Sequence, residues 1–315
     1  MRVYLLHMVT LRQLQYMITI VEEGSFTRAA RRLHISQPAL SRQLQALERF
    51  CGGSLVERDA RPLRLTPMGQ AIHPHARAAL AEADRIRLAA ATAAGGPGGE
   101  LRLATLDSLT LGVLPPALSA WHEGNPAMEV RLAEYRRAEE LMAALGEGRA
   151  DVAVGPALDQ WYGPRQLLGV AEFVLVLPPD DPVAAAHPGP SVPLAAFTDR
   201  AWVHFAPANA LSAVLNEACA EAGFTPRTAV RTEQSVAAPL LAASGLGPTL
   251  VPTYVLPAHF PGRVMRPEPP VRQQLFVCTT ALPGPTVTDF VEVLVRHARV
   301  APHTSLDDLG TASGR

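Results

Sequence analysis

The chain has 315 residues, of which 48% are hydrophobic and 18% charged, with a formal net charge of −1. At roughly 150 residues per domain that length suggests about two domains, and the apolar content excludes a chain that is disordered throughout. The near-neutral balance, taken alone, argues against a nucleic-acid binder, and Cys51, Cys219 and Cys278 lie too far apart in sequence to form a zinc motif.

Sparse cysteine fits a reducing, cytoplasmic setting. No run of about 18 uninterrupted apolar residues is present, so no membrane span is expected. The opening MRVYLLHM is too short for a signal peptide, and Met8 is a second candidate start because a helix signal begins right after it. All 28 basic residues are arginine, a bias that GC-rich coding produces. Their distribution says more than their number. Residues 1–94 hold 13 arginines against 7 acids (+6), and the remainder carries −7. A basic module joined to an acidic one gives this pattern. The stretch 92–99, TAAGGPGG, reads as the linker.

In chain order, Thr10 is placed to cap a first helix, with Gln13 completing a capping box and Val9 and Leu14 at the staple positions. Gly24 ends that helix. Ser25 opens a short second helix with Phe26, Ala29, Ala30 and Leu33 on its apolar face and Arg28, Arg31 and Arg32 on its polar one. After the turn at His34-Ile35, Ser36 caps a third helix, with Pro38 in its first turn and Leu40, Leu44 and Leu47 facing inward. Ser36, Gln37, Pro38, Ser41, Arg42 and Gln45 remain outside. Two short helices joined by a tight turn form a helix-turn-helix. Gln suits adenine, Arg suits guanine, and Ser bonds in either sense. Arg28, Arg31 and Arg32 are suited to phosphates. An ordinary three-helix bundle is the alternative, but a charge of +5 over residues 28–64 weighs against it.

Leu55-Val56 and Leu63-Arg64-Leu65 then read as a two-stranded wing carrying Arg58, Arg61 and Arg64. Thr66 caps a long helix with Pro67 at its first position. Ile72, Ala76, Ala79, Ala83, Ile86 and Ala90 make a heptad-like seam suited to dimerisation, or to packing on the helix's own domain.

The stretch 26–49 and the stretch 55–69 resemble the winged helix-turn-helix of LysR-type transcriptional regulators. The match runs through Ala29-Ala30, Leu33, Ser36-Gln37-Pro38-Ala39-Leu40-Ser41, Leu47-Glu48, Arg58, Leu65-Thr66 and Gly69. The segment from Phe50 to Ser54 departs from the family pattern, as does Val56, and neither departure touches the DNA face.

Beyond the linker, strands and helices alternate, which argues for an α/β fold with mainly parallel strands. Strands are expected at 101–105, 128–135, 151–155, 173–177, 202–205, 229–231 and 276–278. Helices are expected at 109–121, 138–145, 209–222, 235–244 and 286–299. This order, with Gly148 to Val154 and Ser244 to Pro252 as markers, resembles the family's effector-binding domain, which is similar to two-lobed periplasmic binding proteins. The implied organisation is a DNA-binding domain at 8–66, a dimerisation helix at 67–94, and an effector domain at 95–303. Its lobe I would take about 100–170 and 266–300 and lobe II about 171–265, with a flexible tail at 304–315.

Ligands of open α/β sheets bind beyond the carboxyl ends of strands. Those ends bring Asp107, Ser108, Thr110, Arg136, Arg137, Asn209, Thr232, Gln234 and Ser235 forward. Of these, Ser108, Thr110, Arg136, Asn209 and Gln234 are the candidate effector contacts. Arg136 and Arg137 favour an anionic effector, which Asp107 would oppose. None of GxSxG, HExxH, a Walker loop or a strand-following GxGxxG occurs, so no catalytic residue, metal or cofactor is expected. The expected protein is a transcription factor that binds double-stranded DNA and a small-molecule effector. It would pair as a dimer and, as the resemblance implies, assemble into tetramers. A solute-binding protein and a catalytic α/β domain are the competing readings.

Overall fold

The computed structural model describes residues 9–93, 99–156, 161, 163–257, 259–281 and 283–300, apart from the side chains at 85, 87–89 and 91–93. The opening octapeptide, most of the proposed linker and the C-terminal tail lie outside the described residues. The chain divides into two compact units: residues 1–99 with 143–150, and residues 100–142 with 151–315.

The first unit follows its caps. Helix α1 (Leu11–Glu23) opens on Thr10, whose hydroxyl accepts from the Gln13 amide while the Gln13 side chain accepts from the Thr10 amide. It ends at Gly24, whose φ of 58° favours glycine. Helix α2 (Phe26–Arg32) is capped by Ser25 and helix α3 (Gln37–Cys51) by Ser36. Each such cap contributes about 1 kcal/mol. Met17, Ile20, Ala29, Leu40, Leu44, Leu47 and Leu55 are wholly buried between these helices. The wing is shorter than expected: β1 (Val56–Glu57) pairs antiparallel with β2 (Arg64–Leu65). The Thr66 hydroxyl accepts from the Gly69 amide and starts α4 (Pro67–Ala93). The heptad-like seam of α4 divides in two. Ala76 joins the helix-turn-helix core with Ile72 and Ala79 partly buried, whereas Ile86 is 73% exposed.

The second unit begins with β3 (Glu100–Leu106), followed by α5 (Asp107–Gly112) and α6 (Pro115–Gly124). The expected single helix over 109–121 is therefore broken, because Pro115 and Pro116 cannot donate to the turn before them. Then come β4 (Glu129–Tyr135), α7 (Ala138–Gly146), β5 (Val152–Gly155) and β6 (Arg165–Leu177). Strand β6 is far longer than the expected 173–177, because its first half is exposed or half-exposed and only its second half is a continuous buried run.

The remaining elements are α8 (Pro182–Ala186), β7 (Ser191–Pro193), β8 (Ala201–Phe205), α9 (Ala210–Glu221), β9 (Arg227–Thr232) and α10 (Ala237–Leu241), then β10 (Thr249–Pro252), β11 (Arg263–Glu268), β12 (Arg272–Thr279) and α11 (Pro285–His297). Helix α10 is shorter than the expected 235–244, since the chain passes into a wider turn and then through Gly245 and Gly247, with φ of 88° and 126°. A Cβ at Gly247 would fall 1.9 Å from the Ala201 carbonyl oxygen, so only glycine fits.

The sheet runs β4-β3-β5-β12-β6-β11-β7, with β10 also on β6, and β8 pairs separately with β9. It is mixed rather than mainly parallel. Strand β3 is parallel to β4 and β5, β11 to β7, and β8 to β9, but β6 pairs antiparallel with β10, β11 and β12, and β12 antiparallel with β5. The antiparallel pairs arise where the chain crosses between two lobes along β6 and returns along β11 and β12. One lobe packs around Trp121 against Phe290, edge to face at 5.1 Å, and the other around Trp202 with Phe197 and Phe224.

Candidate nucleic-acid interface and effector cleft

Ordinary helix periodicity sends Leu40, Leu44 and Leu47 of α3 into the core and leaves the opposite side to solvent. Gln37, Pro38, Arg42 and Gln45 are exposed there and Ser41 is partly exposed. Ser36 is committed as the cap, its hydroxyl accepting from the Ala39 amide at 3.4 Å. The Gln37 side-chain oxygen Oε1 accepts from the Thr27 hydroxyl at 3.2 Å, which fixes its amide end. Among the described residues Arg42 makes no ion pair, so its full fork of donors is free.

The three arginines of α2 are not equivalent. Arg32 pairs with Glu23 at 2.9 Å and Glu22 at 3.5 Å, and Arg28 donates to the Glu23 carbonyl oxygen. Arg31 is exposed and without an ion pair among the described residues. In the wing, Arg58 pairs with Glu48 at 2.9 Å and lies over the Phe26 ring, while Arg61 and Arg64 stay exposed. Glu48 also accepts from the Leu55 amide and the Ser54 hydroxyl, so Arg58 completes a junction between α3 and the wing.

The second constellation lies where strand ends of the two lobes meet. Strand β3 delivers Asp107, β4 delivers Arg136, β8 leads to Asn209, and β9 delivers Glu233 and Ser235. Ser235 Oγ lies 3.4 Å from both Asp107 carboxylate oxygens, and the Ser108 amide donates to Asp107 at 2.7 Å. Burial pushes the Asp107 carboxyl above its ordinary range, and the bonds from Ser108 and Ser235 offset part of that push. Glu134 adds like charge and Arg136 opposes it. Arg136 is bound to Glu233 at 2.9 Å, and its backbone oxygen accepts from the Ala210 amide.

The five predicted contacts separate on inspection. Asn209 is buried and fully used: its oxygen caps α9 at the Leu211 amide, and its nitrogen donates to the Glu233 carbonyl oxygen and to Ser235 Oγ. Ser108 is buried, and its amide donates to Asp107. Thr110 Oγ1 is buried with no hydrogen-bond partner among the described residues. Arg136 is half-exposed but paired, and Arg137 pairs with Glu139 at 3.4 Å. Gln234 is exposed, and its neighbour Ser235 makes the contact to Asp107. Glu233 went unrecognised in the sequence. It directly follows a strand, which is the signal that could have found it. A further cavity of about 370 Å³ lies among Phe173, Arg266, Glu268 and Arg272, and none of the predicted residues lines it.

No helix among the described residues is long and apolar enough to cross a membrane, and no group of His, Cys, Asp or Glu there could hold a metal ion.

Two family models match the chain: "Bacterial regulatory helix-turn-helix protein, lysR family" over residues 11–70 and "LysR substrate binding domain" over residues 94–299. A "Probable hydrogen peroxide-inducible genes activator" of Mycobacterium avium is 32% identical over 79% of this chain and 80% of its own. The regulator ClcR of Pseudomonas putida is 30% identical over 92% and 94%. Among solved structures, CbnR, a LysR family transcriptional regulator, aligns with a TM-score of 0.61 at 25% identity over 92% of this chain and 100% of its own. CbnR complexed with its target DNA aligns at 0.59 and 26% identity over 91% and 99%.

Proposed function

The chain belongs to the LysR family, a transcriptional regulator with a helix-turn-helix DNA-binding domain and an effector-binding domain, and from that premise we propose how its residues divide the work. The single observation that carries the assignment is the solvent face of α3. There Gln37, Ser41, Arg42 and Gln45 stand together opposite a leucine core, with Arg42 unpaired. This face enters a major groove, with Arg42 reading a base and Gln37 and Gln45 as further base contacts. Arg31, Arg61 and Arg64 hold phosphates; Arg28, Arg32 and Arg58 brace the module through Glu23 and Glu48. Two copies joined through the outer half of α4 present two such faces, and pairs of dimers form tetramers. The effector sits between the lobes beside Asp107, Ser108 and Thr110, and it acts in the cytoplasm by favouring one arrangement of the domains over another.

A second reading is suggested by a relative named for hydrogen peroxide. Peroxide sensing by a thiol needs a reachable thiolate. Cys219 and Cys278 are each 1% exposed, and burial pushes their thiols up to about 12 and about 11. Desolvation raises Cys51 as well. A small ligand therefore fits this chain better than an oxidant.

A gel-shift assay on the DNA upstream of the chain's own coding region tests both points. Tight binding there, with random DNA of equal length bound at least about a hundredfold more weakly, is expected. Peroxide treatment is expected to leave that binding unchanged. Equal affinity for random DNA would refute the regulator reading, and a peroxide response abolished by Cys→Ser substitution would restore the thiol reading.

A further inference from the structure

We propose that the effector is a cation, a small molecule whose protonated amine or amidine docks on the Asp107 carboxylate between the lobes. The inference rests on the effector-cleft reading above and gives it a chemical class.

Four charged groups surround the place where the lobes meet: Asp107, Glu134, Arg136 and Glu233. Arg136, the cation of these four, already has an anionic partner in Glu233 at 2.9 Å. Asp107 has only neutral donors, the Ser108 amide and Ser235 Oγ, and no cation reaches its oxygens among the described residues. The neighbourhood is therefore net negative, and a carboxylate ligand would have to share Arg136 with Glu233 while facing the charges of Asp107 and Glu134. A cationic ligand has to break nothing.

The burial of Asp107 points the same way. Asp107 is a partly buried carboxylate held above its ordinary range by desolvation, and a ligand cation at its free lone pairs would relieve that penalty. Thr110, three residues on, lies on the same helical face, and its buried hydroxyl has no partner among the described residues. Buried polar atoms of that kind are rare unless something pairs with them. A ligand with an amine for Asp107 and a second polar group for Thr110 satisfies both. Asn209 acts as a positioning residue: it holds the 233–235 segment, and so Ser235, against Asp107.

The discriminating experiment uses the full-length protein and matched probes of opposite charge, cadaverine against glutarate and benzylamine against benzoate. Binding is read by calorimetry and thermal shift at millimolar ligand. At least one amine is expected to bind and raise the melting temperature. Asp107→Asn is expected to weaken it by at least about tenfold. Glu233→Gln, which frees Arg136, is expected to let a carboxylate bind that the parent protein ignores. No binding by either amine overturns the proposal. Carboxylate binding that Arg136→Ala abolishes and Asp107→Asn spares overturns the cationic class while leaving the effector cleft in place. Binding of either probe that ignores all three substitutions removes the ligand from the cleft altogether.

Discussion

Arg32 and Arg42 carry the same guanidinium ten residues apart, and their surroundings give them different work. Arg32 is held by Glu22 and Glu23, whose carboxylates bond it directly and raise its affinity for the proton further. Arg42 is exposed and makes no ion pair among the described residues. Arg42→Ala is accordingly expected to cost about 1–3 kcal/mol on the specific site and much less on random DNA, measured by fluorescence anisotropy on both. An equal loss on both sequences would make Arg42 a phosphate contact. Histidine 73 offers a second residue-level test. Its ring is partly buried and Nε2 accepts from Arg77 Nε at 3.3 Å, so burial first and then the Arg77 charge lower its affinity for the proton. Its folded value lies below the 6.5 of the unfolded chain. Between those two values the unfolded state binds more protons, so stability falls as pH drops below about 6.5 and levels off above it. Melting curves between about pH 5 and pH 7 are expected to show that slope for the parent protein and a flatter one for His73→Gln.

Helix α4 shows how an element can serve two partners. Ala76 and the residues beside it close the helix-turn-helix core, while Ile86, two to three turns on, stands in solvent. In the dimer proposed through the outer half of α4, Ile86 is the exposed apolar side chain placed to meet the second chain. Ile86→Asp is expected to shift the protein towards monomer in analytical ultracentrifugation while leaving the melting temperature of the monomeric unit within a few degrees, since the substitution creates no buried charge. The first four helices were legible because each begins with its own Thr or Ser cap and carries apolar residues at helical spacing. The effector domain was less so. Pro115 and Pro116 break a helix whose apolar pattern runs on through them, β7 is too short and β10 too uniformly buried to show a period, and β11 carries Arg266 and Pro267 inside it. The candidate cleft was half legible. Strand ends pointed to Asp107, Asn209 and Ser235, but the pairing of Arg136 with Glu233 joins residues nearly a hundred positions apart, and no local pattern reveals it.

At the scale of the molecule, the net charge of −1 conceals a reader of +6 and a sensor of −7. Association with DNA is governed by the reader's local field rather than by the total. A plot of log affinity against log salt is expected to fall steeply, and Arg31→Ala to reduce its slope by about 1. An unchanged slope would remove Arg31 from the phosphate contacts. The strand order carries a consequence for how the chain is made. Strand β12 sits between β5 and β6, yet it is synthesised after both and after every strand of the other lobe. On the ribosome, the DNA-reading helices, whose contacts are local, can close early. The lobe that holds Asp107 cannot complete its sheet until residues 272–279 have emerged. A nascent chain can therefore hold a finished reader attached to an unfinished sensor, and ligand control begins only when the last strand is threaded home.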